Sequence, residues 1–306
     1  MSELAVKVRY LANFDTFELA HRAHKDIDGS RRGHTAVHIG YESGDWNYRE
    51  FLLWLQKHIP EYSLTPSELE SLSDPTKLFA LATNASRLLH DRDKNISKKG
   101  EIGEIILHGL IRDIYSTTPL VSKIYYKSHP SDNVKGFDCV HVIFDEATQT
   151  IDSIWLGEAK FYTDPTRAIG KAFESVIGFL EAKKMQKELL TIRNHFDDKN
   201  VATKSAEALL SEYTSLDEIK AKLCVPVLIA YESGATKAHT KISDNFLEEL
   251  DNEIEANLKT FLEKFNSNET LEVDIHVFFL PLRNKEEALR VYKEHVDGFQ
   301  GSRRIY

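Results

Sequence analysis

Cysteine is nearly absent: 306 residues contain two, Cys139 and Cys224. Both sit in apolar, strand-like runs, where a thiol acts as a small core residue rather than as half of a disulfide or a metal ligand. No apolar run approaches the ~18 residues needed for a membrane-spanning helix. The start, MSELAVKVRYLANFD, lacks the basic opening and apolar block of a signal peptide, so a cytoplasmic protein is expected. A Walker-type phosphate loop and a dinucleotide fingerprint are missing as well, which excludes ATP hydrolysis by this chain. There are no internal repeats and no low-complexity tracts. Positive charge is also short, with 39 Lys and Arg against 48 Asp and Glu, a net −9. A surface that holds nucleic acid must be basic somewhere, so the distribution matters more than the sum. Basic residues gather at Lys94, Lys98, Lys99, Lys123, Lys127 and Lys135, and again from Arg167 to Lys187. Acids dominate Glu207 to Glu218 and Asp244 to Glu255. One basic face and an acidic far side are expected.

What is present is the composition of a soluble globular chain, 42% hydrophobic and 28% charged, long enough for one large or two modest domains. The first ~95 residues read as a small α+β portion. It has short strands at Val6 to Tyr10 and Ala36 to Tyr41, a helix from Thr16 to Asp26, an amphipathic stretch from Trp46 to His58, and further helices after Pro66 and over Leu78 to Leu89. His34 and His38 are read as surface or turn residues. The polar, aperiodic stretch Asp91 to Gly100 is the best boundary, dividing the chain into 1–95 and 96–306. The second part alternates strands and helices. Strands are expected at Leu120 to Lys127, near 140, near 155, at Cys224 to Tyr231 and at Leu271 to Leu280. The continuous apolar run CVPVLIAY marks a strand buried on both faces. Helices are expected at about Pro165 to Lys187, Asp244 to Phe265 and Asn284 to Val296. The fold class is α/β, a mixed sheet flanked by helices.

The chemistry concentrates in Gly136 to Lys160, GFDCVHVIFDEATQTIDSIWLGEAK. It reads as two strands joined by the turn Asp-Glu-Ala-Thr-Gln-Thr. Alternation puts Glu158 and Lys160 on one face. If the strands pair as a hairpin, Asp138 lies near them. Two carboxylates and a lysine then meet at a sheet end, as a hard cation such as Mg²⁺ acting on a phosphodiester requires. Upstream, the helix Gly100 to Tyr115 is apolar over most of its circumference but carries Glu101, Glu104, His108 and Arg112 in one stripe. A salt-bridge stripe at helical spacing is one reading. The other is that these groups serve the same site, since buried charges need partners or a metal. After Lys160 a helix presents basic residues, Lys171 early in it.

The order helix with Glu, strand, strand with Asp, strand with Glu-X-Lys, helix with a basic residue resembles the PD-(D/E)XK nuclease superfamily. More closely, GEIILH, PLVSKIYYKS, GFDCVHV and WLGEAKFY are similar to HamA, the nuclease subunit of Hachiman anti-phage defence, most strongly over Gly100 to Leu180. The resemblance implies a PD-(D/E)XK-like fold and a metal-dependent DNA nuclease. Carried over, Glu104, Asp138 and Glu158 bind Mg²⁺ (Mn²⁺ substituting) and Lys160 assists the attacking water, with Glu104 preferred to Glu101. Here Phe137 stands where the motif has proline. Lys171, Lys123 and Lys127 are the candidate phosphate contacts. The resemblance also implies a HamB-like helicase partner that restrains the nuclease. The rival reading is a catalytically inactive nuclease-fold module that binds DNA or a partner protein.

Overall fold

The computed structural model describes residues 8–10, 32–65, 68–69, 100–122, 136–196, 201–268 and 271–301. In chain order the elements are β1 (Val8–Tyr10), β2 (Arg32–His38), β3 (Tyr41–Glu42), β4 (Asp45–Trp46), α1 (Tyr48–Ser63), α2 (Glu101–Tyr115), β5 (Thr118–Pro119), β6 (Cys139–Asp145), β7 (Thr150–Phe161), α3 (Pro165–Leu180), α4 (Ala182–Arg193), α5 (Val201–Leu209), α6 (Leu216–Ala221), β8 (Leu223–Glu232), α7 (Gly234–Ala238), α8 (Asp244–Asn266), β9 (Asp274–Leu282) and α9 (Lys285–Gly301).

The apolar run at Cys224 lies in β8, buried at every position but its last, and a strand sheltered on both faces belongs inside a sheet. It lies between β7 and β9 in a seven-stranded sheet of order β1-β2-β9-β8-β7-β6-β5. The pairings from β1 to β7 are parallel, and β6 and β5 are antiparallel at the other edge. Parallel neighbours need crossovers, which α3 to α6 supply before β8, and α7 and α8 before β9. Alternation splits the core in two. Leu156, Val227 and Val277 face α3 and α8 through Ala172 and Phe261. Trp155, Leu228 and Phe278 face α1, α2 and α9 through Phe51, Leu107 and Ala288. This is the expected α/β architecture of a mixed sheet flanked by helices.

Three features differ from the sequence reading. The expected N-terminal portion is not separate at its strands: β2 pairs in parallel with β9, Arg32 opposite Ile275 and Ala36 opposite Phe279. Ala36 joins one core and Val37 the other, so β2 is sheltered on both sides by the layers that cover β8 and β9. The boundary at 91–99 and the helices expected at 16–26 and 78–89 lie outside the described residues. At the other edge, β5 is only Thr118–Pro119, opposite Val142 and His141, and residues 123–127 of the strand expected there lie outside the described residues. Finally, His38 is not a surface residue. It is fully buried, accepts the Gly40 amide on Nδ1 at 2.8 Å and packs its ring against Phe246.

Burial holds the His38 imidazole neutral down to about pH 3, from an ordinary value of 6.5. The unfolded chain takes up that proton below 6.5 and the folded one does not, so this stability is complete above 6.5 and is lost as pH falls towards 3. At pH 5 the loss attributable to this group is about 2 kcal/mol. Urea unfolding at pH 7 and pH 5 should show a smaller acid-dependent loss in His38→Gln than in the wild type, although the variant is less stable at both.

Candidate active site

The hairpin of β6 and β7 has the expected register. Cys139 pairs with Gly157 and Val140 with Leu156, which puts Asp138 opposite Glu158. The Asp138 amide donates to the Gly157 carbonyl at 2.7 Å. Its carboxylate returns the bond, Oδ2 accepting from the Ala159 amide at 2.8 Å. Asp138 is thus fixed to the backbone between Glu158 and Lys160. The residues before it are held as well, since buried Glu188 on α4 accepts the Phe137 amide at 3.3 Å.

Glu158 and Lys160 share the face that looks towards α3, while Gly157 and Ala159 face α2. Glu158 is 4% exposed and its Oε1 pairs with the Lys160 ammonium. Burial alone would lower the Lys160 pKa, but Glu158 and then Asp138 outweigh it and hold it above the ordinary value. Lys160 is therefore a cation at neutral pH that feels both carboxylates. Four residues on, Asp164 caps α3 by accepting the Arg167 amide at 2.6 Å. This starts the helix at once and sets Lys171 two turns in, exposed and paired with Glu174 at 2.6 Å. Lys183, Lys184 and Lys187 are exposed on α4. Lys123 and Lys127 lie outside the described residues.

Glu104 is placed differently. Its helix, α2, packs on the opposite face of the sheet: a Cβ on Gly103 would lie 3.4 Å from that of Ala159. The charged stripe of α2 meets α1. Tyr62 donates to Glu104 Oε2 at 2.8 Å. Glu61 Oε2 accepts from Arg112 Nε at 2.7 Å and lies 3.3 Å from His108 Nε2. Below them Asp113 Oδ2 is 3.1 Å from His58 Nε2 and accepts from Trp54 Nε1 at 2.8 Å. Behind His108 runs a buried relay, Nδ1 to His141 Nε2 at 3.0 Å and His141 Nδ1 to Thr117 Oγ1 at 2.8 Å. Burial would raise the Glu61 pKa, but His108 and Arg112 overcome it and bring it down to about 2. Burial lowers His108 despite Glu61, and lowers His141 further.

Asp138, Glu158 and Lys160 thus come together as expected. Glu104 belongs to a neighbouring polar cluster across the sheet. Among the described residues, the acids and histidines whose ligand atoms all lie within 4.8 Å of one another are His58, Glu61 and His108, not Glu104, Asp138 and Glu158. A small cleft joins the two regions, lined by Glu61, Tyr62, His108, His141, Val121 and Asp138. The sequence reading passed over His58, Glu61, Tyr62, Glu188 and His141. His58 and Tyr62 lie on the buried face of α1 beside Trp54 and Leu55, where their spacing reads as core packing, and Glu61 stands at its edge.

A family model named HamA matches residues 13–294. The chain belongs to the HamA family. That family is associated with Hachiman anti-phage defence, a system with partner subunits. No curated protein matches the chain. In this HamA chain no helix among the described residues is long and apolar enough to cross a membrane.

Gly157 is what lets the HamA hairpin lie against α2. A Cβ there would collide with the Cys139 sulfur and come within 2.8 Å of Leu107 Cδ2. Gly157→Ala should destabilise the protein by about 1–3 kcal/mol through overpacking, measured by chemical denaturation.

Proposed function

We propose that this chain is a metal-dependent deoxyribonuclease whose site is the end of the β6–β7 hairpin. The reading is carried by one observation: Asp138 is bonded to the backbone between Glu158 and Lys160, so two carboxylates and an ammonium converge at a sheet end in a chain of the HamA family. The donor set fits a hard divalent cation, because Asp138 and Glu158 offer only carboxylate oxygens. Mg²⁺, or Mn²⁺ in its place, would be held by these two residues and would supply charge neutralisation at phosphate and an acidified water. Glu104, bonded to Tyr62 on the other face of the sheet, is not assigned to this ion.

The roles of the protein groups follow from their placement. The Asp138–Ala159 bond fixes one carboxylate, and burial between β7 and α3 fixes the other. Lys160 is kept protonated by both. It therefore orients the attacking water and stabilises charge on the phosphodiester as a cation, rather than abstracting the proton itself. Lys171 and the exposed lysines of α4 offer the backbone of DNA a basic track on the hairpin's α3 side. Lys123 and Lys127 complete the proposed phosphate contacts.

A nuclease of this kind, acting in the cytoplasm, must be restrained. The chain has no Walker loop and its family works with partner subunits, so the restraint is assigned to a HamB-like helicase that consumes ATP and releases the nuclease on DNA.

The test is cleavage of plasmid and linear DNA with Mg²⁺ and with EDTA, by the chain alone and with its helicase partner and ATP. Metal-dependent cleavage is expected, falling roughly 100-fold or more in Glu158→Ala and in Lys160→Ala, with unchanged circular dichroism. If no condition gives cleavage while DNA or partner binding survives both substitutions, the chain is a binding module and the nuclease reading fails.

A further inference from the structure

We propose that His58, Glu61 and His108 form a second divalent-metal site, of the zinc class, which fastens α1 to α2. It stands apart from the hairpin carboxylates and does not depend on the nuclease reading.

The three side chains each place one ligand atom within 4.8 Å of the other two. Two imidazoles and one carboxylate suit Zn²⁺ and its first-row neighbours, whereas Mg²⁺ takes oxygen. His58 and Glu61 are three residues apart and so share one face of α1. His108 comes from α2. A metal here would be a cross-link between two elements that are about fifty residues apart in the chain.

The surroundings are those of ligating histidines. His108 is 2% exposed. Its Nδ1 is taken by His141, while its buried Nε2 makes no hydrogen bond, although Glu61 Oε2 lies 3.3 Å away. If Thr117 Oγ1 accepts from His141 Nδ1, then His141 Nε2 accepts from His108 Nδ1, and a bare lone pair on His108 Nε2 points at the Glu61 carboxylate. Two acceptors facing each other in a buried place repel unless a proton or a cation stands between them. His58, 4% exposed, has a carboxylate, Asp113, on its Nε2 at 3.1 Å, the kind of outer partner that orients a metal-binding imidazole. Glu61 and His108 also line the cleft shared with Tyr62 and Asp138. One contact works against the ion: Arg112 Nε bonds Glu61 Oε2 at 2.7 Å, so the carboxylate already has a cation. A purely ionic cluster is the competing account, and the two differ in stoichiometry.

The full chain should be stripped with chelator, dialysed against Zn²⁺ and assayed for bound metal, with Co²⁺ as a spectroscopic probe. The expected result is one Zn²⁺ per chain, a higher Tm with Zn²⁺ than without, and visible Co²⁺ bands diagnostic of low-coordinate nitrogen ligation. Glu61→Gln and His58→Gln should weaken Zn²⁺ binding at least tenfold, while Glu158→Ala should retain it. Retention in all variants, or a wild type that keeps no stoichiometric Zn²⁺ and shows neither Tm shift nor Co²⁺ bands, overturns the site. The wild-type measurements decide the matter even if a variant does not fold.

Discussion

A charge removed from water must find its partner inside the protein, and α2 is where this chain meets that requirement. The helix is apolar around most of its surface, yet Glu104 and His108 are buried on it and Arg112 is largely covered. Left alone, each would be several kcal/mol out of place, by about the scale of an unpaired buried ion. α1 supplies the remedy in a single turn: Tyr62 for Glu104, and Glu61 for Arg112. His141 on β6 closes the far side. The polar contact goes with a rotation of α2 that turns Gly103 and Leu107 towards the sheet and Gly109 towards Trp54 of α1. Gly103 meets Ala159, and Leu107 meets the hairpin at Gly157. The strands that carry Asp138 and Glu158 rest on a helix held in register by a different set of charges.

The hairpin pairs its own charges separately from that cluster. Glu158 and Lys160 share a buried face next to an aliphatic core, where a lone carboxylate would shed its charge. The Lys160 ammonium pairs with Glu158, and the Asp138 carboxylate takes the Ala159 amide, so the charged groups of the hairpin are partnered in one small volume. Such an arrangement gives little net stability.

The parts legible in the sequence were those that local pattern determines. β6, β7, β8, α8 and β9 follow from alternation, an apolar run and a 3.6-residue stripe, and the meeting of Asp138 with Glu158 follows from one tight turn. What could not be read was pairing over distance. Nothing in RGHTAVH says that its neighbour is DIHVFFLPL, more than two hundred residues later, so β2 passed for part of a separate unit and His38 for a surface group. Likewise the stripe on α2 announced that it needed partners, but Glu61 and Tyr62 were unremarkable in an amphipathic helix, and the downstream carboxylates took their place. Thr118–Pro119 is too short to announce itself as a strand at all.

The parallel pairing of β2 with β9 has a consequence for the order in which the protein comes into being. Residues 32–36 find their partners on the β9 side only when residues 275–279 have been made. Until then the sheet has an open edge at β8 and β2 lacks its partner on the β9 side, a non-local closure of the kind that slows folding. The middle of the sheet is in this way left incomplete until its most distant pairing forms.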